Sequence, residues 1–171
     1  MSVKKLTSLA MYTVLSLAIY AAESAIPPLI PIPGIKLGLA NIITLILLQH
    51  YTLKETLLVL LCRILLSSLL FGQAMSFVYS LLGGCFSMLA MLLLNRLLRK
   101  KWLPLTGAAG GLTHNLGQLL AAYAFTATPG VLAYLPFLVL SGIVTGIFTG
   151  LAACFADRYL LSHLRRIPSS K

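Results

Sequence analysis

The chain has 171 residues, 59% of them hydrophobic and only 9% charged, whereas ordinary soluble domains carry roughly 25% charged residues. Its mean hydropathy is +0.97, and 13 lysines and arginines against 3 acidic residues give a formal charge of +10. Such a composition excludes a soluble globular domain. The basic residues also stand at the ends of apolar runs, not among aromatics on a polar surface, which argues against a nucleic-acid-binding domain.

Six apolar runs are read as membrane segments, since a hydrocarbon core of about 30 Å takes roughly 20 helical residues. They are Leu6 to Ala25, Leu37 to His50, Thr56 to Gly72, Met75 to Leu94, Leu103 to Ala127 and Leu132 to Phe155. The second is too short to cross without neighbours. A cleavable signal peptide is the competing reading of the first, but Tyr20 and Glu23 make a poor cleavage site there. Lys4 and Lys5 precede the first run, Lys54 follows the second, Arg96 to Lys101 follow the fourth, and Arg158 to Lys171 follow the sixth. Six crossings with both termini cytoplasmic place every basic residue except Lys36 and Arg63 on the cytoplasmic side, as the positive-inside rule requires. The expected architecture is therefore an all-α, multi-pass integral membrane protein of the cell membrane, forming a single transmembrane domain with a basic cytoplasmic tail over residues 162–171.

Taken in chain order, the first run carries Ala18 and Ala22, an AxxxA pattern extended by Ala25. Small residues at this spacing let helices approach closely, so the face suits packing inside the bundle or docking of a separate membrane subunit. Four prolines between Pro27 and Pro33 then exclude helix. An apolar, non-helical stretch at this depth needs its carbonyls shielded, so residues 26–36 are expected either to fold as an extracellular lid or to lie on the interface. Lys36, Asn41 and Thr44 follow, in the outer half. The third run carries Arg63 near its middle. A central Arg adds about 2.5–3.5 kcal/mol to insertion, against about 0.3–0.6 gained per large aliphatic residue or Phe, so the helix still inserts, but Arg63 must face the interior. Its alternatives are ligand contact or a structural ion pair with Glu23. Gln73 and Tyr79 reach the same level from the outer end of the fourth run. Its Ser76, Ser80, Gly83, Gly84, Ser87 and Ala90, and Gly142, Gly146 and Gly150 of the sixth run, read as packing seams.

The fifth run holds His114, Asn115 and Gln118 at three- and four-residue spacing. Three polar side chains in lipid require partners, either a ligand or neighbouring helices. With Glu23, Lys36, Asn41, Arg63, Gln73 and Tyr79 they form the candidate ligand-binding set, and the excess of cations favours an anionic or amphiphilic ligand.

Catalysis is harder to place. The only carboxylates are Glu23, Glu55 and Asp157, far apart in sequence, and metal-assisted diphosphate chemistry needs them clustered. No phosphate-cradling GxxxxGK[ST] run occurs either. Cys62, Cys85 and Cys154 show no metal or disulfide spacing and read as small apolar packing residues. No catalytic residue, metal or cofactor is expected, and any nucleotide-driven transport would use ATPases on other polypeptides.

Several blocks of the chain resemble a known family. They are Glu23-Ser24-Ala25-Ile26-Pro27, Pro33 through Asn41, Arg63 through Gly72, Ser80 through Ser87, and His114 through Gln118. In this order they are similar to the Gx transporter family, also described as heptaprenyl diphosphate synthase component I. That family is related to the substrate-binding S components of energy-coupling factor transporters. The resemblance implies a six-helix S-component-like bundle, an extracellular-side ligand site closed by the first loop, and docking of an energy-coupling subunit through the first helix. It leaves two functions in view. One is a binding subunit for uptake of a small vitamin-like or quinone or isoprenoid precursor. The other is a non-catalytic accessory subunit of heptaprenyl diphosphate or menaquinone synthesis, or of a membrane redox complex.

Overall fold

In lipid, backbone N–H and C=O groups must pair within their own segment, so long apolar runs become helices. The computed structural model describes residues 2–25, 36–71, 74–98 and 102–164, and among them there are helices but no strands. The helices are α1 (Val3–Ser24), α2 (Asn41–His50), α3 (Leu53–Phe71), α4 (Ala74–Leu97), α5 (Leu103–Thr126) and α6 (Leu135–Leu164), with a 3-10 turn at Pro129–Tyr134 before α6. Among the described residues, three stretches are long and apolar enough to cross a membrane: Val3–Ser24, Met75–Leu97 and Pro129–Tyr159. On α3 the polarity comes from Lys54, Glu55 and Arg63, and on α5 from its glycines and the His114–Gln118 patch.

The bundle buries a set of polar residues beside an apolar core, and its outside is apolar. Leu65, Leu69 and Leu70 of α3, Leu89 and Leu93 of α4, and Leu140, Val144, Phe148 and Phe155 of α6 all face outward. Apolar surface on this scale belongs against lipid, because soluble monomers rarely expose it.

α5 is the central helix, with a glycine face toward each of two neighbours. A Cβ on Gly107 would lie 2.2 Å from the Gly146 carbonyl oxygen, and one on Gly111 would lie 2.2 Å from that of Gly142. From the other side, a Cβ on Gly150 would come within 2.3 Å of the Leu103 carbonyl. The α5 and α6 backbones therefore touch along a seam that only glycine permits, which realises the packing role expected for Gly142, Gly146 and Gly150. Gly117 meets α4 backbone in the same way: a Cβ there would lie 2.8 Å from the Leu82 carbonyl oxygen.

α2 departs from its expected extent. It begins at Asn41, four residues after Leu37, because Gly38 adopts φ +80° and the chain turns through Leu39 and Ala40. Ten helical residues rise only about 15 Å, too little to cross a membrane. Ile43, Leu45, Ile46, Leu47 and Leu48 instead pack in an apolar core with Val59, Leu60 and Ile64 of α3 and Met88 and Met91 of α4. The sixth run also differs: residues from Leu132 form the 3-10 turn, and α6 extends to Leu164, into the expected tail. Residues 26–35 of the proline segment and residues 165–171 lie outside the described residues.

At the end where α1 begins, Lys5 pairs with Glu55 and His50 with Asp157. The second pair joins α2 to α6. The Lys5 side chain, and then the Thr52 backbone N–H, hold the Glu55 carboxyl below its ordinary range. The three cysteines are half-buried and unbonded to one another.

Candidate functional site

At the opposite end of the bundle, α1 ends and α2 begins around a short segment, Lys36 to Ala40, whose carbonyls at Gly38, Leu39 and Ala40 accept from the start of α2 but whose Lys36, Gly38 and Leu39 N–H groups need acceptors from elsewhere. Side chains from α1 and α5 supply them. Glu23, only 5% exposed, accepts the Gly38 N–H on Oε1 at 2.7 Å and the Leu39 N–H on Oε2 at 2.9 Å. From α5, Gln118 Oε1 accepts the Lys36 N–H at 3.3 Å. Because Oε1 is thereby assigned, the Gln118 amide must donate from Nε2 to His114 Nε2, 3.1 Å away. His114 is then neutral, with its proton on Nδ1, which lies against the Gly83 backbone short of hydrogen-bonding geometry.

The His114 ring is clamped between two glycines. A Cβ on Gly38 would fall 2.7 Å from its Cδ2, and one on Gly83 would fall 2.9 Å from its Cε1. The same Cβ on Gly38 would sit 3.0 Å from Asn41 Nδ2, so Gly38 joins Glu23, His114 and Asn41. Arg63, 3% exposed, enters from α3 beside Gly84, whose added Cβ would be 3.6 Å from Arg63 Nη2. It interacts electrostatically with Glu23, Tyr20 and His114, but among the described residues no salt bridge joins it to Glu23. Both oxygens of that carboxylate point at backbone N–H groups instead.

Several atoms in this cluster have no hydrogen-bond partner: Arg63 Nε and Nη2, and Asn41 Nδ2 and Oδ1. Buried polar groups are almost always satisfied, and an interior guanidinium is the most demanding of them. With His114 Nδ1, five unpartnered buried polar atoms fall within this one cluster.

The chain matches the family model described as heptaprenyl diphosphate synthase component I over residues 12–156. It belongs to that family. No curated protein and no solved structure matches it. The component I match includes every element of the cluster, from Tyr20 to Gln118.

The candidate residues separate in space. Glu23, Asn41, Arg63, His114 and Gln118 converge, and Lys36 stands at the rim. The Lys36 ammonium lies 3.5 Å over the Tyr20 ring and donates to Ser24 Oγ, so it caps the end of α1. Asn115 turns the other way. Its Nδ2 donates to the Leu138 carbonyl at 2.8 Å and to Ser141 Oγ at 3.1 Å, tying α5 to α6. Tyr79 is buried with Ala121 and Ala122 in a small apolar cluster and packs edge-on to Phe125 at 6.3 Å. Gln73 lies outside the described residues. Ala18 and Ala22 are exposed on the outside of α1, so no helix among the described residues covers the AxxxA face.

Gly38, Gly83, Tyr20 and Ser76 join the site without having been singled out for it. Tyr20 hydroxyl and Ser76 Oγ are 2.9 Å apart and bridge α1 to α4. A glycine after Lys36, in a stretch otherwise reading as helix, was the available signal for the turn. No group of three His, Cys, Asp or Glu side chains among the described residues forms a metal site.

Proposed function

We propose that this component I family member is a six-span, S-component-like binding subunit with both termini cytoplasmic. It captures a small vitamin-like or quinone or isoprenoid precursor from the outer side of the cell membrane. It is not itself an enzyme, and separate energy-coupling subunits with ATPases complete the transporter. The observation that supports this reading is the interior cluster of Arg63 and Asn41 with unpartnered atoms, inside a bundle whose outside is apolar. A protein with only a packing role gains nothing from an unsatisfied interior guanidinium, which costs several kcal/mol when desolvated without partners. The exposed Ala18 and Ala22 face is where the coupling subunit docks.

Native mass spectrometry of gently purified protein tests the reading. A stoichiometric small molecule, lost in Asn41→Ala while the protein still folds, is the expected result. Absence of both a retained molecule and substrate-dependent uptake would remove it.

A second reading, a non-catalytic accessory subunit of prenyl diphosphate or menaquinone synthesis or of a membrane redox complex, draws on the family description. Recruitment through the basic segment from Arg96 to Lys101 would then matter more than the polar interior. Charge reversal there would abolish co-purification of a soluble partner and leave small-molecule retention untouched.

A further inference from the structure

We infer that the ligand is anchored by a single carboxylate, seated on the Nε and Nη2 edge of Arg63, and that the site rejects diphosphates. The inference rests on the binding reading above and adds the chemical class of what is bound.

The two unpartnered nitrogens of Arg63 are Nε and Nη2. These lie side by side on one edge of the planar guanidinium, and their N–H bonds run parallel, matching the two oxygens of a carboxylate. Asn41, whose amide nitrogen and oxygen are both unpartnered, provides a neutral donor and acceptor for a neighbouring polar group. Glu23 does not take up the Arg63 edge: among the described residues no salt bridge joins the two, and the hydrogen bonds of its carboxylate go to the Gly38 and Leu39 N–H groups. It is a positioning residue that holds the segment leading into α2.

Charge then sets the number of anionic groups. At this end of the bundle Glu23 contributes one negative charge, and Arg63 and Lys36 contribute one positive charge each. His114 is neutral, because its Nε2 accepts from Gln118. Residues 26–35 and 72–73 contain no ionisable side chain, so nothing in those segments alters the total. The described cations Lys4, Lys5, Lys54, Arg96 and Arg158 are set at the other ends of their helices. One surplus positive charge balances a monoanion. A diphosphate ester brings two or more negative charges and calls for side chains grouped to hold a metal or for a cluster of cations; among the described residues no such metal-holding group forms, and the surplus at this end is a single positive charge. The prenyl diphosphate in the family's description is therefore not what this site accommodates.

The test uses full-length protein purified in mild detergent. The retained molecule is identified by native and denaturing mass spectrometry before and after methyl esterification. Benzoate, nicotinate, octanoate, their uncharged amides and geranyl diphosphate are added to ligand-stripped protein in thermal-shift assays. The expected result is a phosphorus-free molecule that gains one methyl group. Arg63→Lys, which keeps the charge but not the paired N–H edge, should bind it about 10- to 100-fold more weakly. Asn115→Ala should retain it. A retained phosphoryl compound, an uncharged molecule, or stabilisation by geranyl diphosphate but by no carboxylate overturns the inference and leaves the binding reading standing. Equal affinity in Arg63→Lys overturns the assignment to Arg63. If nothing is retained and no probe stabilises the protein, the binding reading fails, and this inference fails with it.

Discussion

Replacing Gly38 with alanine tests the geometry on which the site depends. The residue has φ +80°, where an L side chain costs about 1–2 kcal/mol relative to glycine. The new Cβ would stand 2.7 Å from His114 Cδ2, 2.9 Å from His114 Nε2 and 3.0 Å from Asn41 Nδ2. The imidazole has no room to retreat, since its far side is packed on Gly83 and its Nε2 is tied to Gln118. Such crowding typically adds about 1–3 kcal/mol. If the backbone yields instead, it stretches the 2.7 Å bond from the Gly38 N–H to Glu23, and a hydrogen bond to a charged group is itself worth about 1.5–3 kcal/mol. Either route predicts a loss of about 2–5 kcal/mol, measured by reversible SDS unfolding in mixed micelles. Gly130→Ala is the matched control, because a Cβ there meets only Thr128 Cγ2 at 3.7 Å. Were Gly38→Ala as stable as that control, within about 0.5 kcal/mol, the clamped arrangement of Gly38, His114 and Gly83 would be refuted.

Three further outcomes follow from the same structure. Asn115→Ala removes the amide donor to Leu138 and Ser141 and should lower stability by about 1–2 kcal/mol in the same unfolding assay, with ligand retention unchanged. Gly146→Val should prevent accumulation of folded monomer, read by fluorescence size-exclusion chromatography, because even a Cβ would lie 2.4 Å from the Gly107 carbonyl oxygen and backbone cannot be displaced as a side chain can. Lys5 holds the folded Glu55 pKa below its ordinary 4.5. The stabilisation is therefore complete above that value and disappears as the pH falls through the lower folded pKa. The stability difference between the native chain and Glu55→Gln should accordingly shrink to nothing in acid, followed by unfolding across a pH series.

The long apolar helices were legible because membrane segments must satisfy their own backbone, and hydropathy alone reports that. Arg63, His114 and Gln118 were legible for the complementary reason: interior polar groups in lipid need a purpose. The turn at Gly38 was not. Its carboxylate partner, Glu23, binds main-chain N–H groups, and these carry no residue-type signature, so Glu23 read as a ligand-facing acid or an ion-pair partner of Arg63. Asn115 adjoins His114 in sequence, yet points to α6, because neighbouring residues on a helix lie about 100° apart. The α6 glycines were legible as a seam, whereas their counterparts Gly107 and Gly111 came into view only once α5 and α6 were seen antiparallel in contact.

The enclosure of α2 has a consequence for biogenesis. A ten-residue helix with Ile43, Leu45, Leu47 and Leu48 all shielded by other helices is too short to partition into the bilayer as an independent stop-transfer element. Such a helix depends on its protein neighbours, not on the bilayer, for its shielding. That shielding comes from Val59, Leu60 and Ile64 of α3 and Met88 and Met91 of α4, so α2 reaches its packed position only together with them. Asn41, the first residue of this helix, is thus held in place by interhelical packing and not by the lipid.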